Sequence, residues 1–214
     1  ESDFVALHDI PEFLQAAFIT AEDKRFYTHD GIDWRARAQA VVQNVKCLCA
    51  DRGASTISEQ VVRMVIPRPR NLWTRWVEGW EAQRLEHHAT KQDILEFYLN
   101  QVPYAANRRG VVQAARYYFD RDLSTLSPRE MSALAVLVRS PGRFRFRDRP
   151  QTVERAISRL SARMKDEGAG VGDGAVSGLA PFAGQWDFGR PGLVVEAPHF
   201  VRFIRAQTTH RSGK

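Results

Sequence analysis

The sequence predicts a mainly α-helical fold. Three observations carry that prediction: apolar side chains recur at three- and four-residue spacing from about residue 11 to 165, Ser, Thr or Asp followed three residues later by Glu or Asp repeatedly marks helix starts, and strand-type alternation is almost absent. A chain of 214 residues with 43% hydrophobic side chains can bury a core as one domain.

Asp9-x-x-Glu12, with Pro11 in the first turn, reads as the start of a helix whose apolar face is Phe13, Leu14, Ala17, Phe18 and Ala21, and which delivers Glu22 and Asp23 to its C-terminal end. A second helix is expected over residues 33–45, followed by a loop containing Cys and Gly. Thr56-x-x-Glu59 caps a third helix carrying Ile57, Val61, Met64 and Val65, which Pro67 and Pro69 end. Helical spacing returns over 72–88, with Trp73, Trp76, Trp80 and Ala82 near one face. Thr90-x-x-Asp93 restarts a helix through Ile94, Leu95, Tyr98 and Leu99, and 100–110 reads as a loop. Two further helices are expected over 110–119 and 127–138, the second with Ser127 as cap, Pro128 at its first position and Glu130 completing the box. The last long helix is expected over 153–165. Residues 1–167 read as the main domain, and 168–214, rich in Gly, Ala and Pro and containing Ala197-Pro198-His199-Phe200, as a linker or tail.

The formal charge of +6 favours anionic partners: nucleic acid, lipid head groups or a phosphorylated substrate. Nucleic acid is not expected, because the basic residues are scattered through amphipathic helices and no recognised binding motif occurs. Cys47 and Cys49 are too close for an unstrained disulfide and too few for a zinc site, so they read as incidental thiols. No apolar run approaches the ~20 residues that cross a bilayer, and no leader opens the chain. Since the sequence begins at Glu1, it reads as an excised domain whose targeting or anchoring segment lies outside it. Between residues 61 and 80, Met64, Ile66, Leu72, Trp73, Trp76 and Trp80 alternate with Arg63, Arg68, Arg70 and Arg75, a composition that suits either a membrane interface or a packed aromatic stripe.

Four polar clusters sit beside these helices: Glu22-Asp23-Lys24-Arg25-Phe26 with His29 and Gly31; Gly53-Ala54-Ser55-Thr56 with Gln60; Arg75-x-x-Glu78 followed by Ala82, Leu85 and Glu86; and Lys91, Ile94, Leu95, Glu96, Tyr98, Leu99 and Asn100. Together with Gly110, Ala114-Ala115, Tyr118-Phe119, Leu126, Glu130, Leu134-Ala135 and Pro141, they resemble, in order, the motifs of glycosyltransferase family 51. That family comprises the peptidoglycan glycosyltransferase domains of class A penicillin-binding proteins and the monofunctional transglycosylases. Gly-Ala-Ser-Thr and the later Ala-Pro-His-Phe are similar to its penicillin-binding protein 1C branch.

The resemblance implies a lysozyme-like helical domain with a membrane-facing lobe, polymerising lipid II into glycan strands by inverting transfer with release of polyprenyl pyrophosphate. By the same resemblance, Glu22 is the base for the acceptor 4-hydroxyl, and Glu78 assists departure of the pyrophosphate, directly or through a divalent metal. No cofactor is implied as required, with Mg2+ or Mn2+ the candidates at Glu78. Arg75, Lys24, Arg25, Arg37 and Arg121 are candidate phosphate partners, since guanidinium forks match phosphate oxygens. Ser55, Thr56 and Gln60 are implied to line the donor site, with Asp23, Phe26, His29 and Asn100 as further motif residues at the substrate. The residues also admit structural roles: an acidic helix end at Glu22 and Asp23, an ion pair of Glu78 with Arg75, a helix cap at Ser55 or Thr56, and backbone support by His29 and Asn100.

The implied partners are lipid II, the growing glycan, the membrane surface, and a transpeptidase domain or divisome and elongasome proteins. The implied location is the extracytoplasmic, periplasmic face of a bacterial inner membrane. Transpeptidase motifs of the S-x-x-K and K-T-G kind are absent from the chain. It departs from the family pattern at Thr74 (usually Arg), Arg75 (Lys), Glu59 (Gln) and Ala105 (Gly). Two other readings remain: a muramidase or lytic transglycosylase, and a non-catalytic module binding lipid-linked glycan or a divisome protein.

Overall fold

The computed structural model describes residues 3–47, 54–138 and 150–166. Cys49, Gly53, Pro141, the side chain of Cys47 and the 168–214 segment, with the expected domain boundary, lie outside the described residues. The helices are α1 (Glu12–Glu22), α2 (Trp34–Cys47), α3 (Ile57–Val65), α4 (Leu72–His88), α5 (Lys91–Gln101), α6 (Gly110–Phe119), α7 (Pro128–Val138) and α8 (Pro150–Asp166). Short 3-10 turns occur at Leu7–Asp9, Phe26–Thr28, Ala105–Asn107 and Leu123–Thr125. Among the described residues there is no strand, only an isolated bridge between Pro103 and Arg109, as the mainly α reading requires.

α7 is the hub: every side chain from Glu130 to Val138 is buried, and the helix packs against α1 on one side and α8 on the other. α3 lies against α4 and α5, and α5 against α6, so α3 and α5 join the α4 side of the molecule to the α1–α7–α8 core. Tyr98 of α5, fully buried, meets Phe18 of α1 edge to face at 6.1 Å.

The capping boxes form as their spacing predicts. Thr56 accepts from Glu59 N–H while Glu59 accepts from Thr56 N–H, and Thr90 with Asp93 does the same. Ser127 N–H donates to Glu130 at 2.7 Å, with Glu130 N–H returning to Ser127 Oγ at 3.3 Å. Asp33 caps α2 by accepting Ala36 N–H at 2.8 Å. Asp9 does not cap α1: the N-cap is Pro11, which leaves Asp9 two residues upstream, closing the preceding 3-10 turn. Gln15 holds that entry instead, donating to Leu7 O at 3.0 Å and Ile10 O at 2.8 Å.

The expected face on α4 also needs correction. Trp73, Trp76 and Trp80 are 76%, 58% and 59% exposed, whereas Ala82 is fully buried. Two residues along a helix turn the side chain about 200°, so Ala82 falls opposite Trp80 and lies with Thr74 and Glu78 on the buried face. The tryptophans form a surface stripe, not core. No helix among the described residues is long and apolar enough to cross a membrane.

Candidate active site

The chain leaves α1 at Asp23, which is buried and works as a staple. Its Oδ2 accepts the N–H of Ile57, the first residue of α3, at 2.9 Å, and both oxygens lie 3.0 Å from His29 Nε2, which donates to them. A carboxylate at a helix N-terminus satisfies an orphan N–H and meets the positive end of the helix dipole. Phe26 is fully buried beneath the Lys91 ammonium, 4.6 Å from its ring, and that ammonium donates to His29 O at 2.7 Å and Glu86 at 2.8 Å.

Gly31 closes the loop at φ +78°, where a Cβ would stand 2.5 Å from Gln83 N; only glycine allows this approach to the α4 backbone. Thr56 Oγ1 donates to Gly31 O at 2.7 Å. The loop after α1 and the start of α3 are thus one hydrogen-bonded unit.

That unit sets Glu22 against α3. Gln60 Nε2 donates to Glu22 Oε2 at 3.1 Å, and Tyr98 O–H reaches Gln60 Oε1 at 3.5 Å. One turn along α3, Arg63 grips Glu78 of α4: Nε lies 3.1 Å from both carboxylate oxygens and Nη2 2.7 Å from Oε2. Positions three apart on a helix are surface neighbours, so α3 holds both acidic side chains from adjacent points on one face. Tyr104 completes the surroundings of Glu22. Burial, then the Tyr118 and Glu22 charges, push its hydroxyl well above the usual phenol range, and it donates to Leu134 O at 3.2 Å.

The other residues singled out in the sequence fall in different places. Lys24 and Arg75 are exposed, and Ser55 is half-buried beside the cap. The alternative ion pair of Glu78 with Arg75 does not form, because Glu78 turns to the buried side of α4 and meets Arg63. Arg25 pairs with Asp33, its Nε 2.9 Å from Oδ2. Burial pushes the Asp33 carboxyl up, but Arg25 and the Ala36 N–H outweigh it and hold it below the usual range. Arg37 pairs with Glu59 and lies 5.4 Å from the Trp34 ring and 5.7 Å from that of Trp76. Glu59 is therefore turned inward as a capping partner rather than out towards a phosphate site. Asn100 supports the N-terminal segment, accepting Val5 N–H at 2.9 Å and donating to Val5 O at 2.8 Å. Arg121 stands apart, 3.6 Å from Glu130 at the start of α7. Thr74, in place of the family's arginine, donates to Asn71 Oδ1 at 2.8 Å within the α4 cap.

Arg63 is the residue the motif reading passed over. Its signal was the Gln60-x-x-Arg63 spacing, which puts it one turn beyond a motif residue. A cavity of roughly 390 Å³ lined by Arg25, His29, Asp33, Trp34, Arg35 and Gln83 opens behind the loop, and neither Glu22 nor Glu78 lines it. Arg63 binds both Glu78 oxygens, and among the described residues no group of three or more His, Cys, Asp or Glu side chains that could hold an ion occurs.

Fold and site define a helical domain organised around two carboxylates held by one short helix. The chain belongs to the Transglycosylase family, which matches residues 1–165. It is 37% identical over 143 residues to penicillin-binding protein 1A of Neisseria cinerea, covering 66% of this chain and 18% of that protein. Penicillin-binding proteins 1A and 1C of Escherichia coli K12 each match at 32% identity, covering 98% and 77% of this chain and 25% and 21% of theirs. The crystal structure of penicillin-binding protein 1A from Haemophilus influenzae shares the fold, with a TM-score of 0.52 at 19% identity over 99% of this chain and 21% of that one. The chain spans about a fifth to a quarter of the length of these relatives.

Proposed function

We propose that this chain is a peptidoglycan glycosyltransferase that polymerises lipid II. The Glu22 carboxylate takes the proton of the acceptor 4-hydroxyl as that oxygen bonds to the donor's anomeric carbon. The bond from that carbon to phosphate breaks, polyprenyl pyrophosphate leaves with the electron pair, and the anomeric centre inverts. The observation that carries the reading is the anchoring of Glu22 and Glu78 by Gln60 and Arg63, one turn apart on α3. This sets a base close to guanidinium charge suited to a departing diphosphate, with the exposed Arg75 one turn before Glu78 on α4 as a second cation.

A muramidase would need its second carboxylate free to act on water or sugar, and Glu78 is bound through both oxygens. The exposed Trp73, Trp76 and Trp80, with arginines nearby, support a dock on the membrane that carries the lipid-linked substrate. We place the chain at the extracytoplasmic face of a bacterial inner membrane. Its partners would be the growing glycan and a transpeptidase domain or divisome and elongasome proteins, in keeping with its penicillin-binding relatives.

Incubating the chain with lipid II in detergent or vesicles tests this. Glycan polymer with release of polyprenyl pyrophosphate is expected. Tight lipid II binding without product would establish the non-catalytic module, and soluble fragments from purified sacculi the muramidase.

A further inference from the structure

The Glu78 carboxylate is almost closed to solvent, its side chain 4% exposed against 27% for Arg63, so the guanidinium sits over it on the outer side. From this geometry we infer that Arg63 occupies the place a divalent cation would take beside Glu78. The chain then carries no Mg2+ or Mn2+ at that carboxylate, and removing the guanidinium opens a cation site there. The consequence for catalysis rests on the polymerase reading above; the site itself does not.

Cations of this class seek about six oxygen ligands in regular geometry. Arg63 takes both Glu78 oxygens in a fork. The neighbouring carboxylate, Glu59, is taken by Arg37 and by the Thr56 N–H. Two carboxylates facing two guanidinium groups leave no net negative charge to attract a dication. Without Arg63, Glu78 and Glu59 would share Arg37 alone, and a buried excess carboxylate seeks a counter-cation. Glu59 reaches the same stretch of α4, its Oε1 standing 3.2 Å from where a Cβ on Gly79 would lie.

The test is a Mn2+ titration of the full 214-residue chain, read by the electron paramagnetic resonance of free Mn2+. The wild type is expected to leave Mn2+ free and Arg63→Met to hold about one ion per chain, which Glu78→Gln added to it abolishes. Should circular dichroism show Arg63→Met unfolded, Arg63→Gln, which keeps a donor for Glu78, is read in its place. An ion bound by the wild type and lost in Glu78→Gln would overturn the inference, as would a folded Arg63 variant that binds none. EDTA is expected to leave wild-type polymerisation unchanged, and a loss restored by Mg2+ would count equally against it. Mn2+ binding is read whether or not the chain polymerises lipid II, so failure here and failure of the polymerase reading are separable.

Discussion

Asp23 and Ile57, 34 residues apart, meet at 2.9 Å where α1 ends and α3 begins. The same carboxylate holds His29, so one buried side chain fixes the loop that presents Glu22. Asp23→Ala leaves a buried amide and an imidazole without their acceptor, and stability should fall by about 3 kcal/mol. The urea midpoint measures this; an unchanged midpoint would mean the staple carries no load.

Gln60 touches Glu22 from a half-buried position on α3. Gln60→Leu removes the amide that aims the carboxylate and leaves the helix intact. A misplaced base costs roughly tenfold to a hundredfold in turnover, so kcat for lipid II polymerisation should drop by that amount while the urea midpoint barely moves. Equal losses in both would point to a structural role alone.

Trp73 and Trp80 lie open on α4. Replacing both by alanine should leave the thermal midpoint in place, since exposed positions matter by about 0.5 kcal/mol or less. Binding to anionic vesicles should weaken roughly a hundredfold, about tenfold for each ring that inserts halfway into the lipid. Vesicle co-sedimentation checks this, and undiminished binding would remove the stripe from the membrane contact.

Glu59 is buried, and burial raises its carboxyl above the usual 4.5 although Arg37 and the Thr56 N–H act in the opposite sense. The folded state then binds this proton more readily than the unfolded one. The group's contribution to stability is full below pH 4.5 and declines as pH rises through the folded value. Wild type should therefore lose stability relative to Glu59→Gln as pH climbs through that window. Urea midpoints of both proteins from about pH 4 to pH 7 decide it, a constant difference being the contrary result.

Much of this was legible in the sequence because it is local. The boxes of Thr56 with Glu59, Thr90 with Asp93 and Ser127 with Glu130 need only three-residue spacing, and all three form. Asp9 misled because Pro11 itself takes the N-cap position. Ala82 lies on the opposite face of α4 from Trp80 because residues near in sequence are not near in angle on a helix. The contacts that make the site, Asp23 to Ile57, Gln60 to Glu22 and Arg63 to Glu78, join different helices, and spacing alone cannot report them. The motif resemblance singled out Glu22 and Glu78 but not the arginine that grips Glu78.

The most direct measurement compares lipid II polymerisation by the wild type and by Glu22→Gln, with circular dichroism confirming an unchanged helical fold. The amide keeps the shape and a contact for Gln60 but cannot take a proton, so polymer should fall to background. Polymer formed at the wild-type rate by the folded variant would contradict the assignment of Glu22 as the base.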